Sequence, residues 1–378
     1  MSATQTDHCT LIRTFANPMK HILPLPLFVL LGALACAAQN APTPEESRYE
    51  TRYSVAVIDD ATFYNNLRVP APKVLNRVVV EPTFGLHYMK RWSLSSSLIG
   101  VTTTYADNFT QMHVKETYAG LSAGDFDFTA GRKMVRWGTG YAFTAAGVLD
   151  PPRVATDPTD RLNLHEGRDM VKADWVRGPH ALSVAWSTAA LARSGTNLHD
   201  TTAFRYNVLV HGFDTSLIAG NDRDGDSFGA LTFTRVLGQA WEVHGETAWR
   251  EHQAVLLGAK YTTAQGVTFI GEFYTPPNTQ YFRDMSVSPL SGRQHYGFLN
   301  VSKSRLRELP GWKEWDVSGS VVTNFDDHSY ATVFDVNRWF GKHFSSYLHL
   351  EVPVGSKTSD YGAAPYSTST SVGIRFQL

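Results

Sequence analysis

A two-residue period of apolar and polar positions recurs along most of the chain. The stretch VVVEPTFGLHY places Val78, Val80, Pro82, Phe84, Leu86 and Tyr88 on one parity, with Glu81, Thr83 and His87 on the other. WEVHGETAWR sets Trp241, Val243, Thr247 and Trp249 against Glu242, His244, Glu246 and Arg250. SYLHLEVPV sets Leu348, Leu350, Val352 and Val354 against Tyr347, His349 and Glu351, and WDVSGSVVTNF repeats the pattern with Asp316, Ser318, Ser320 and Asn324 on its polar side. The final residues, YSTSTSVGIRFQL, alternate Val372, Ile374, Phe376 and Leu378 with Ser371, Gly373, Arg375 and Gln377. In a strand the two parities point to opposite faces, so each stretch predicts a strand with one apolar and one polar face.

Helix-length amphipathic patterns are almost absent, and the strand-like segments number about sixteen, at roughly 9 to 13 residues each, the length a tilted membrane strand needs. Charged residues occupy the face opposite the apolar row, and aromatics stand at the ends of several rows. Lipid outside and water inside call for that arrangement. The expected fold is all-β: a single transmembrane antiparallel β-barrel of about sixteen strands, within a range of about 14 to 18, over residues 71–378. Short links such as RVLGQA and TTAQGV fit tight hairpins, while AAGVLDPPRVATDPTDRLNLHEG and TPPNTQYFRDMSVSPLSG are long enough to narrow a lumen or cap a barrel mouth. The terminal alternation fits a last strand that must pair with the first and face lipid.

Composition supports this picture: 18% of residues are charged and 12% are aromatic. A formal net charge of −1, with no long basic block, argues against a general nucleic-acid binder. The one continuous apolar run, Ile22 to Ala38, follows Met19, Lys20 and His21 and ends in small residues, which is the layout of a secretory leader over residues 1–38 with Met19 as its expected start. Residues 39–70 read as a polar, partly mobile lead-in. Both cysteines, Cys9 and Cys36, fall in the leader, so the exported chain has no disulfide framework and no thiolate chemistry.

The most distinctive stretch is GRKMVRWGTGYAFTAAGVLDPPRVATDPTDRLNLHEGRDMVKADW, Gly131 to Trp175. Its G-R-x-x-x-R-W-G-x-G block, the Leu-x-Pro-Pro turn and the E-G-R segment leading into a strand resemble porin-like outer-membrane families that include alginate-export-like proteins. The resemblance implies a single wide barrel, a bacterial outer-membrane location, and passage of a solute or polymer. Within the block, Arg132, Arg136, Arg153, Arg161, Arg168 and Lys172 are the candidate pore filter, since guanidinium groups favour carboxylate or phosphate and rings of charge select ions. The bland alternative is that these cations pair with Asp150, Asp157, Asp160, Glu166 and Asp169 and brace the wall. Parity around Gly131 would send Arg132 and Arg136 to the lipid side, which calls for a bulge there or a strand that leaves the apolar band.

Candidate lumen residues are Glu242, His244, Glu246, Arg250, His349, Glu351 and Arg375. NDRDGDSFG places Asp222, Asp224 and Asp226 as calcium loops do, but lacks the glycine and the bidentate glutamate in register. No metal-ligand set, nucleophile elbow or phosphate loop is present, so neither cofactor nor metal is expected and the chain does not read as an enzyme. The expected function is a porin-like channel for passive passage of small polar or anionic solutes. Its expected partners are outer-membrane lipid, the solute and the outer-membrane barrel assembly machinery, with the oligomeric state open. The alternatives are a loop-plugged scaffold or adhesion barrel and, with less support, a barrel hydrolase.

Overall fold

The structure, a computed structural model, describes residues 49–89, 91–104, 109–151, 153–188, 200–222, 227–250, 253–276, 294–306 and 311–378. The leader, Asp224, Asp226 and most of the segment after residue 276 lie outside them. The barrel opens with β1 (Tyr49–Asn65), β2 (Val74–Tyr88), β3 (Trp92–Thr104), β4 (Phe109–Ala123), β5 (Phe126–Lys133) and β6 (Arg168–Arg177). It continues through β7 (His180–Ser187), β8 (Thr201–Val210), β9 (Phe213–Asp222), β10 (Ser227–Leu237), β11 (Trp241–Trp249) and β12 (Gln253–Thr262). The last six strands are β13 (Val267–Thr275), β14 (Tyr296–Lys303), β15 (Trp315–Asn324), β16 (Ser329–Phe340), β17 (Phe344–Val354) and β18 (Thr368–Gln377). Each pairs antiparallel with the next, and β18 returns to β1, with Ala56 opposite Gln377 and Asn65 opposite Thr368, so one 18-stranded sheet closes on itself.

The count is therefore eighteen rather than about sixteen, because periodicity missed β1 and β9. β1 also corrects the reading of residues 39–70 as a lead-in: the barrel begins at Tyr49, not near residue 71. The alternation of β1 is masked by Val57-Ile58-Asp59-Asp60, where two apolar and two acidic neighbours point to opposite faces; Ile58 and Asp60 are buried inside while Asp59 is exposed. β9 is masked by adjacent Leu217 and Ile218, and its turn from β8 is only His211 and Gly212, both with positive φ.

Strand parity elsewhere follows the sequence pattern. Val372, Ile374 and Phe376 face outward, whereas Ser369 and Ser371 are buried inside. Tyr366 is the exception: it precedes β18, and its ring packs 5.1 Å from that of Tyr64, which lies on the inward parity of β1. Outward apolar side chains such as Leu257, Leu299 and Leu217 form a belt bracketed by aromatics. At the short-turn end, Tyr49 stacks on Tyr88, Tyr53 packs on Phe84, and Trp241 packs on Tyr261. At the other end stand Trp186, Trp249, Phe325 and Tyr330. Such an area is a liability in water and a requirement in hydrocarbon. Short turns and both terminal strand ends mark one mouth as periplasmic; the longer connections, 134–167 and 355–367 among them, mark the other as external.

Two irregularities shape the interior. The register shifts between Ser97 and Leu98 against β4, so that Lys115 and Glu116, neighbours in sequence, both engage inner partners. Lys115 pairs with Glu81 at 3.0 Å, and Glu116 accepts the Met134 N–H at 2.6 Å. Gly131 has φ +124°, and a Cβ there would run into the Thr117 carbonyl oxygen. The bulge expected near this glycine is thus a kink that only glycine tolerates well, and it turns the chain from β5 toward the long connection.

Candidate functional site

The connection between β5 and β6, residues 134–167, folds into the barrel instead of standing above it. Its first leg crosses to β11, β12 and β13, and two wall carboxylates, Glu246 of β11 and Glu272 of β13, hold it there by its own backbone. Glu246 accepts N–H groups from Thr139, Gly140 (2.9 Å), Ala145 (2.6 Å) and Ala146 (2.7 Å), together with the hydroxyls of Thr139 and Thr144. Glu272 takes the N–H groups of Tyr141, Ala142 (2.9 Å) and Phe143 (3.2 Å), and His244 Nε2 stands 3.0 Å from it. Asp150 accepts from Trp137 N at 2.6 Å and pairs with Arg153 at 3.1 Å. A segment without helix or sheet must satisfy its buried N–H groups by other means; Glu246 and Glu272 of the wall do so, and Asp150 does so from within the connection.

Apolar packing adds to this anchoring. Trp137, Ala142, Phe143, Ala145, Ala146 and Leu149 are buried against inward residues of β6 to β16, with the Phe143 ring stacked 5.0 Å from Tyr274. The inner wall is shaped for contact: Ala185, Ala203, Ala248 and Ala254 are all fully buried. Gly258 leaves room for the His244 ring, which a Cβ at that position would meet.

The second leg runs back toward the closure of the barrel. Asp60 is fully buried there and receives Arg77 at 2.7 Å and the Tyr347 hydroxyl at 2.8 Å, with Arg161 Nε at 4.0 Å. Arg161 also bonds Asp157 and Ser371, while Arg375 donates to the Arg161 carbonyl oxygen. Asn163 donates to Glu81. Thr159, Asp160, Arg161 and Asn163 roof a cavity of about 560 Å³ on the periplasmic side, whose wall includes Asp316, Asp335, Asn337 and Arg375.

Of the candidate filter, Arg132 is buried and held by Asp169 at 2.7 Å and Glu166 at 3.3 Å; Arg153 is bound by Asp150, and Lys172 lies 2.6 Å from Asp174. Arg168 opens β6 and is partly buried. Arg161 borders the cavity, and Arg136 is exposed, making no hydrogen bond or ion pair among the described residues. Among the candidate lumen residues, Glu242 accepts the Tyr141 hydroxyl at 2.9 Å, with Lys260 3.9 Å away. His244, Glu246 and His349 face inward but are buried, the last 2.7 Å from Asp335; Arg250 follows β11 and is partly buried. Glu246 is thus covered by the connection that it anchors. Glu272, Asp60 and Tyr347 were missed, although Glu272 in VTFIGEFYT shows the one available signal, an acid on the inward parity of an otherwise apolar strand.

Burial sets the protonation of the connection. It raises the Tyr141 hydroxyl above its usual range, with Glu242 adding to the effect. It pushes the Asp150 carboxyl up, against the pull of Arg153 and the Trp137 N–H. It lowers His165, although Asp160 stands 3.0 Å away. No cluster of three or more metal-ligating side chains occurs among the described residues.

The fold and the inward connection define a class: a closed, apolar-out transmembrane barrel with the fold of outer-membrane porins, which places the chain in a bacterial outer membrane. No protein-family model matches the chain, and no curated protein matches it in sequence. Solved structures do match in fold. OccK5 (OpdH) of Pseudomonas aeruginosa superposes with a TM-score of 0.60 at 7% identity over 87% of this chain and 98% of that one. OprD of the same organism gives 0.59 at 9% identity over 87% and 95%. Wzi of Escherichia coli, described as a carbohydrate-binding β-barrel involved in group 1 capsule assembly, gives 0.56 at 8% identity over 86% and 84%.

Proposed function

We propose that the protein is a passive outer-membrane channel for small polar solutes, with the 134–167 connection setting the size limit. The observation that carries this reading is the anchoring of that connection across the lumen by the wall carboxylates Glu246 and Glu272, above a cavity on the periplasmic side. Passage involves no bond making, so the residues act by excluding bulk and by offering hydroxyl, amide and carboxylate groups in place of water. The preference for anions expected from the arginines rests on Arg136 and Arg375, because Arg132, Arg153, Arg161 and Lys172 are paired with carboxylates. Glu81, Asp160, Asp316 and Asp335 border the same cavity as Arg161 and Arg375. Selection by size and polarity therefore outweighs selection by charge sign.

A second reading, a loop-closed scaffold, draws on the apolar packing of the first leg against β6 to β16. Single-channel recording in planar bilayers separates the two. The channel reading expects steady steps from the wild type, larger ones from a Glu246→Gln, Glu272→Gln double variant, and a reversal potential in a salt gradient that shifts toward cations in Arg136→Ala. A silent wild type with a conducting double variant would establish the closed scaffold, and silence in both would overturn the channel.

A further inference from the structure

The outer wall over β1 to β4 carries a carboxylate, Asp59, within the apolar belt. Elsewhere its lipid-facing positions carry large apolar groups such as Leu182, Leu257, Leu299, Phe334 and Leu348, interspersed with small residues such as Gly271 and Gly319. Over β1 to β4 they include Asp59, Ala61, Gly100, Thr102 and Thr110. Asp59 is exposed between outward Val57 and Ala61, because Ile58 and Asp60 on either side of it are buried inside. Along β1 it lies between the outward aromatics Tyr53 and Phe63, which puts it within the apolar belt, and its ladder neighbours are Val78 and Ile374. It makes no hydrogen bond or ion pair among the described residues. A carboxyl bordered by hydrocarbon is costly, and a position that keeps one is best explained by a partner that meets it.

We propose that this face, centred on Asp59, is where two copies of the chain meet in the membrane. The face holds both halves of a polar contact. Thr102 and Thr110 lie 3.4 Å apart, so one hydroxyl donates to the other and a second proton is left to give. Asp59, Val78, Thr102 and Thr110 stand on one row of the sheet, each opposite the next, which places acceptor and donors on the same patch. A surface carrying both complements another copy of itself without a foreign cation. Small residues allow close approach within a membrane. Gly100 fits that role: a Cβ there would come no nearer than 3.9 Å to the Val80 carbonyl oxygen, so the barrel's own packing does not demand glycine.

The proposal is independent of whether the lumen conducts. Because the exported chain has no cysteine, single cysteines report on the face directly. The full chain is expressed with its leader, carrying Met112→Cys on this face or Leu257→Cys far from it, and membranes are treated with a short bis-maleimide. A product of twice the barrel mass from Met112→Cys and little from Leu257→Cys is expected. Adding Asp59→Leu should lower that product at least fivefold, while Asp59→Asn, which keeps a hydrogen-bonding group, should retain most of it. Heat-dependent gel mobility checks that each variant is folded. A monomer only, equal products at both cysteines, a product of another mass, or cross-linking indifferent to Asp59→Leu would each overturn the assignment.

Discussion

Glu246 concentrates more of the connection's backbone than any other side chain described, and its removal tests how far order in the lumen depends on one carboxylate. Leaving a buried N–H without an acceptor costs about 1–3 kcal/mol. In Glu246→Ala, amide exchange at Gly140, Ala145 and Ala146 is expected to accelerate about tenfold or more, while strand amides keep their protection; unchanged exchange would show that apolar packing alone holds the leg. His165 gives the pH dependence. Its folded-state value is depressed by burial, so the unfolded chain takes up the proton more readily, and stability of the second leg should fall as pH drops below the ordinary histidine range. Proteolytic protection of 156–166 between pH 7.5 and 5 measures this, and His165→Asn should flatten the slope.

At the scale of elements, the strands were legible wherever apolar and polar residues alternate cleanly, as in β2, β11, β17 and β18. They were illegible where pairs of like residues straddle the sheet, as in Val57-Ile58-Asp59-Asp60 of β1. Candidate site residues followed the same logic. The inward parity of Glu242, His244 and Glu246 was readable, but their role was not: Glu246 takes backbone groups and Glu242 the Tyr141 hydroxyl of a segment about 100 positions away in sequence, and His244 meets Glu272 two strands further on. The arginines of the 131–175 block were readable as a cluster, and Asp169 and Glu166 turn Arg132 into a brace through a kink at Gly131 that charge counting does not reveal. The correction over residues 49–65 has a direct test. A chain whose Tyr49–Asn65 segment is replaced by a Gly/Ser linker should fail to give the compact, heat-shiftable gel band, whereas replacement of 39–47 should leave it intact.

For the whole molecule, the outside is the apolar side. Trp92, Trp186, Trp241 and Trp249 are exposed outward, whereas Trp137 is buried in the lumen. In bilayers of brominated lipid, a variant retaining only Trp186 should lose much of its fluorescence, and one retaining only Trp137 should keep it. Equal quenching would mean that the barrel is not inserted with this face to the lipid.

The pairing that closes the barrel also has a kinetic meaning. Thr62 of β1 and Ser371 of β18 meet hydroxyl to hydroxyl at 2.8 Å across 309 positions of chain, whereas every other ladder joins strands that follow one another in sequence. Hairpins can zip one after another at little entropic expense, but this one encounter requires both ends of the sheet to find each other. Until they do, the nascent sheet has two open edges, each a template for the wrong strand. Closure is therefore the slow, vulnerable moment of biogenesis, and a catalyst that shelters β1 while the remaining strands arrive would act there.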